Sequence, residues 1–212
     1  MKMRIASLTL LALCLAVVPA VAQNDIYDNG AINGTTDAWT INSGFTVSDT
    51  FTLGSTSTVN GLSFGAWLEP GDSLVSAEVS ITSSEFGGTS FFDQSVNFTS
   101  SGCGTNQVGF TVCTETGSFS GPTLNAGTYW LNLNNAVTSL GAPVYWDENS
   151  GASSASQNTL GTIPSESFTL LGTGGTQTTA TTATSSTPEP SSIMLFGSGI
   201  LGLAGILRRK LF

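Results

Sequence analysis

The sequence predicts an all-β domain, an antiparallel β-sandwich of jelly-roll-like type, with a signal peptide before it and a single transmembrane helix after it. Three observations carry this expectation. Between residues 24 and 171, short runs alternate apolar and polar side chains with the period of two that a half-buried strand requires. Turn formers separate the runs: Asn42-Ser43-Gly44, Pro70-Gly71-Asp72, Gly87-Gly88, Gly121-Pro122 and Asn125-Ala126-Gly127. Unbroken apolar stretches occur only near the two ends of the chain.

At the amino end, Lys2 and Arg4 precede the apolar run Leu8 to Val18 and the small-residue site Ala20-Val21-Ala22. A short apolar run behind positive charge, closed by A-x-A, is a signal peptide over residues 1–22, to be removed by signal peptidase. Residues 23–171 follow as the sandwich domain, long enough to enclose one core. Its first clear strand sets Phe45, Val47, Phe51 and Leu53 against Thr46, Ser48, Thr50 and Thr52, and the apolar phase breaks at Asp49. Leu62, Phe64, Ala66 and Leu68 repeat the pattern, and Val75, Ala77, Val79 and Ile81 alternate with Ser76, Glu78, Ser80 and Thr82. Val96-Phe98, Val108-Phe110-Val112, Tyr129-Leu131-Leu133, Val144-Trp146 and Phe168-Leu170 bring the expected total to about nine or ten strands.

Cys103 and Cys113 are the two cysteines beyond the signal peptide, in a chain directed to an oxidising compartment, and a disulfide follows. Gly104, Thr105 and Asn106 supply turn formers between them. Two cysteines in a chain without histidine do not make a four-ligand zinc site.

Charge narrows the function classes. The 212 residues hold 5 Lys+Arg, 14 Asp+Glu and no His, a formal net charge of −9, and every basic residue lies within ten residues of an end. With no Lys, Arg or His from residue 5 to residue 207, the domain has nothing to neutralise phosphates, which excludes nucleic acid as a partner. Schiff-base lysines, arginine clamps and Ser-His-Asp triads are excluded with it. The acidic surface repels polyanions, so a neutral polysaccharide or another protein is the expected neighbour.

Candidate chemistry rests on tryptophans and carboxylates. If Leu62 to Leu68 and Tyr129 to Leu133 turn their apolar members inward, Trp67 and Trp130 point outward, where an indole can stack on a sugar ring or lie beneath loops as satellite core. Trp39 and Trp146 have no clear phase. Asp147-Glu148-Asn149, and Glu69 with Asp72, are oxygen-rich turns; each reads as a structural calcium site or as a solvated acidic loop, and neither follows a spaced calcium-loop motif. No cofactor is expected beyond such a calcium. Glycoside hydrolysis needs only two opposed carboxylates, and no spacing here shows that two face each other, so the expectation is a protein that is not an enzyme. Asn33-Gly34-Thr35 and Asn97-Phe98-Thr99 fit the glycosylation acceptor pattern, which a chain this rich in Asn and Thr meets by chance.

Residues 172–187 are Thr, Ser, Ala and Gly with one Gln and one large-residue-free composition that buries no core: a solvated tether. Pro188-Glu189-Pro190 follows, then an uncharged apolar stretch over about 191–207, then the basic stop Arg208-Arg209-Lys210. Positive charge beyond the helix holds that end in the cytoplasm, and the signal peptide sends the rest outward. Residues 188–212 as a set resemble the PEP-CTERM sorting signal. That resemblance implies recognition by an exosortase-type enzyme, anchoring in the inner membrane before processing near Pro188-Glu189-Pro190, and delivery to the cell surface or extracellular matrix of a Gram-negative bacterium, where extracellular polysaccharide is a potential partner. The domain also resembles uncharacterised secreted domains found before such tails, through Pro70-Gly71-Asp72, Gly127 to Leu133 and Tyr145 to Asn149. The expected function is a structural or adhesive role at the surface, with a carbohydrate-binding module as the alternative and a glycoside-active enzyme third.

Overall fold

The structure is a computed structural model and describes residues 24–174. The signal peptide, the transmembrane helix, the motif Pro188-Glu189-Pro190 and the basic residues Arg208, Arg209 and Lys210 lie outside the described residues. Within them the chain forms β1 (Asn24–Asp28), β2 (Ala38–Thr40), β3 (Thr46–Leu53), β4 (Ser57–Leu68), β5 (Leu74–Ser84), β6 (Gly87–Asn97) and β7 (Thr99–Thr105). It continues with β8 (Thr111–Ser118), β9 (Thr123–Leu124), β10 (Gly127–Thr138), β11 (Val144–Asp147), β12 (Ala155–Gln157), β13 (Gly161–Ile163) and β14 (Phe168–Gly174).

Two antiparallel sheets result, as the alternation requires. The spine of the first is β4, whose 12 residues serve two partners on each flank. β14 pairs from Ser57 to Phe64 and β11 from Ala66 to Leu68 on one side; β9 and then β8 pair on the other. β1, β2 and β7 extend this sheet outward from β14, β11 and β8. The second sheet runs β13-β12-β3-β10-β5-β6.

The core fills the space between the sheets. Leu62, Phe64, Ala66 and Leu68 of β4 meet Val47, Phe51, Leu53, Leu131, Leu133, Val79 and Ile81 of the second sheet, all at most 2 % exposed. A bulge at the β14–β4 ladder, between Leu171↔Gly61 and Gly172↔Val59, slips the phase so that Val59 also turns inward.

Three expectations are corrected. Val75 is 45 % exposed and Leu74 takes the inward place, because β5 bulges at Val75, between the pairs Val137↔Ser76 and Thr138↔Leu74, and so reverses its phase. Val108 is 63 % exposed: Asn106 Oδ1 accepts the backbone N–H groups of Val108 and Phe110, folding a turn where alternation suggested strand, and β8 starts only at Thr111. Fourteen strands replace nine or ten, the additions including β2, β9, β12 and β13, pieces of two or three residues too short to show a period. At the far end β14 runs on through Gly172 to Gly174, paired with Val59, Thr58 and Ser57.

Candidate functional site

The polar features fall into three places. The first is built where β11 leaves the first sheet. Alternation along Val144-Tyr145-Trp146-Asp147 puts Val144 and Trp146 in the core and sends Asp147 to the opposite face. There its Oδ1 accepts the Trp67 indole N–H at 2.6 Å and the Gly34 N–H at 2.8 Å, and its Oδ2 accepts Asn33 N–H at 2.9 Å. Gly65 makes the room: a Cβ on it would lie 2.6 Å from Ser167 Oγ and 2.8 Å from Asp147 Cβ. Trp67 does point away from the core, yet it is 6 % exposed, packed on Phe110 of the β7–β8 turn at a ring distance of 5.7 Å. It offers no free face to a sugar.

Glu148 turns back toward the space between the sheets. It forms an isolated antiparallel bridge with Glu166, flanked by Asn149 N to Ser165 O at 2.7 Å and Ser167 N to Asp147 O at 2.8 Å. This is the close, non-hydrogen-bonded pair geometry, in which the two side chains stand on one face of the ladder. Glu148 Oε2 accepts the Trp39 indole at 3.0 Å. Asp49, the residue that breaks the apolar phase of β3, keeps the inward phase and is fully buried. It accepts Glu166 N–H at 2.8 Å, Thr50 N–H at 2.7 Å and the Asn29 amide at 3.3 Å. Burial pushes its pKa up to about 6, against the lowering pull of the Glu166 and Thr50 amides. Glu166 is fully buried, and neither carboxylate oxygen has a hydrogen-bond partner. Burial, and then the charges of Asp49, Glu148, Asp147 and Asp37, hold its pKa well above the usual carboxylate range. Asn149 ties the strand ends together, donating to Asn29 O at 2.9 Å and accepting Ser165 Oγ at 3.0 Å. Asp147-Glu148-Asn149 is therefore a buried hub, none of its members more than 8 % exposed, instead of a solvated loop.

Glu69 and Asp72 do not share a site of this kind. Although desolvation opposes it, hydrogen bonds from Ser139 Oγ at 2.7 Å, Leu140 N at 2.9 Å and Ser73 N at 2.8 Å hold the Asp72 carboxyl below the usual range. The carboxylate locks the β10–β11 loop onto the β4–β5 turn. Glu115, another inward acid, receives Ser100 Oγ at 2.7 and 3.0 Å.

The second place is the outer face of the second sheet. Trp130 lies there, half-buried, between Thr50 of β3 and Thr82 of β5. Asn132, two residues on, faces Ser48 and Ser80 and donates to Ser80 Oγ and Thr82 Oγ1. Ser48 Oγ, Asn132 Oδ1 and Asn134 Oδ1 are buried polar atoms without partners. Trp39, Trp67 and Trp146 all donate their indole N–H, the last to Ser167 O at 2.8 Å. Trp130 alone donates to no described residue.

The third is the hairpin of β7 and β8, closed by a Cys103–Cys113 disulfide with a Cα separation of 4.2 Å. Beside it is an open cleft of about 330 Å³ lined by Ile32 to Thr35, Gly102, Gly104 to Asn106 and Val112, with no titratable side chain among them.

Sequence reasoning had singled out Trp67, Trp130 and Asp147 to Asn149; it missed Asp49, Asn29 and Glu166. The phase break at Asp49 was the available signal.

The fold defines an acidic, disulfide-closed β-sandwich. Residues 186–210 match the PEP-CTERM protein-sorting motif. This supports a PEP-CTERM protein, exported, anchored at the membrane during sorting in a Gram-negative bacterium, and processed by an exosortase. No curated protein matches the chain.

Proposed function

We propose that the domain has a structural or adhesive role at the cell surface or in the extracellular matrix, acts without enzymatic turnover, and makes its contact through the outer face of the second sheet. One observation supports this choice of face above the others. Trp130 is the one tryptophan whose indole N–H meets no acceptor among the described residues, and it stands in a field of Ser, Thr and Asn side chains. An aromatic ring with hydroxyl and amide groups around it is the composition that grips a sugar, the ring against its C–H face and the polar groups against its hydroxyls. The same observation favours carbohydrate binding as the form of adhesion, with a neutral polysaccharide as ligand, since the chain between residues 5 and 207 has no cation to hold an anionic one.

A glycan array probed with the exported protein and with Trp130→Ala tests the reading. Binding to neutral glycans that the variant loses, at an unchanged melting temperature, upholds it. Absence of glycan binding by the parent removes the carbohydrate form and leaves a protein partner for the same face.

A further inference from the structure

The geometry points to a calcium site between the two sheets, with the carboxylates of Glu148 and Glu166 as its protein ligands. Every other buried acid in the described residues has partners: Asp49, Asp72, Asp147, Glu115 and Glu148 each accept at least one hydrogen bond. Glu166 has none on either oxygen, although no part of it reaches solvent. It is also set directly opposite Glu148, and like charges in directly opposed positions repel. An unpaired buried carboxylate is among the costliest groups to fold. No Lys, Arg or His exists between residues 5 and 207, so no side chain among the described residues supplies a compensating charge.

The chemistry of the donors selects the ion. Oxygen is the only ligand atom present: the chain has no histidine, and both cysteines of the domain are in the disulfide. No three acidic side chains converge to form a preformed cage among the described residues. Two carboxylates completed by water or backbone oxygens suit calcium, which takes 6–8 oxygens in loose geometry, better than magnesium, which demands a tight octahedron. Asp49 is a positioning residue, since it grips the Glu166 backbone N–H at 2.8 Å and the Asn29 amide that in turn donates to Glu166 O at 2.7 Å.

The test uses the full chain purified in a neutral detergent at pH 7.5, with melting followed by tryptophan fluorescence in EDTA, in 5 mM calcium and in 5 mM magnesium. For a site with a dissociation constant of about 0.1–1 mM, calcium should raise the melting temperature by about 2–9 °C over EDTA. Magnesium should do less, and calorimetry should count one calcium per chain. Glu166→Gln should melt in EDTA at or above the parent and lose the calcium response; Glu148→Gln provides the same reading if the first variant fails to fold. Identical melting with and without calcium, with no heat of binding and a higher melting temperature at pH 5, would mean that a proton fills the place and would overturn the site. So would an unchanged calcium response in both variants, or an equal response to magnesium.

Discussion

The indole of Trp67 and the carboxylate of Asp147 meet at 2.6 Å across a gap of 80 residues, joining the spine of the first sheet to the end of β11 on the face away from the core. Trp67→Phe keeps the ring and removes the donor, and the loss of a hydrogen bond to a charged acceptor should cost about 1.5–3 kcal/mol. Trp67→Ala should cost about 3–5 kcal/mol. Trp130→Ala, on a half-buried ring with its indole unengaged, should cost about 1 kcal/mol or less. Urea unfolding curves of the three variants check the order.

Stability should fall as pH rises. Asp49 has a folded-state pKa of about 6, above its ordinary 3.8, so the folded protein holds the proton more tightly than the unfolded chain. Its contribution is present in full below about pH 4 and disappears as pH rises through about 6, a change of about 3 kcal/mol for a shift of this size. Glu166 is displaced in the same direction, so its contribution extends further toward alkaline pH. Melting in EDTA at pH 4.5 should therefore exceed that at pH 8, and Asp49→Asn should flatten the dependence below pH 7. A rise in stability across that window would reject the burial of these acids.

Gly65→Ala places a methyl group 2.6 Å from Ser167 Oγ, 2.8 Å from Asp147 Cβ and 2.9 Å from Ile32 Cγ1. Overpacking of this kind should destabilise by about 1–3 kcal/mol, read as a lower urea midpoint at constant slope.

Alkylation of the denatured, unreduced protein should label neither Cys103 nor Cys113. Replacing both with Ser opens a short ring and should cost about 2–3 kcal/mol, lowering the melting temperature while the far-ultraviolet β signal persists.

Deleting residues 193–212 should free the protein from the membrane pellet after signal cleavage. Replacing Pro188, Glu189 and Pro190 with Ala should leave insertion intact and the tail uncut, which intact-mass measurement of the mature protein decides.

The strand alternations of β3, β4 and β10 were legible because each sets apolar side chains at alternate positions on the face turned to the core. Trp67 shows where that legibility stops. Its phase is set by its neighbours on β4, but its ring packs on Phe110 and its N–H meets Asp147, a carboxylate also held by the Asn33 and Gly34 amides, and these contacts leave no periodic mark. Glu148 likewise looks like a solvent residue at a strand end until Glu166, 18 positions later, is laid opposite it. Asp49 is the instructive exception: a polar residue in an apolar phase is a site to be asked about, and here it sits at the centre of the hydrogen-bond network around Asn29 and Glu166.

β14, the last strand described, is not at the rim of its sheet. β14 is clasped by β1 on one edge and by seven residue pairings to β4 on the other, and it ends at Gly174 where the chain passes to residues that carry the sorting motif. Tension drawn along that strand through its C-terminal end is borne as shear, by rungs loaded simultaneously, whereas a strand at the rim would peel one rung at a time. The domain thus meets the chain that follows Gly174 at a mechanically strong point.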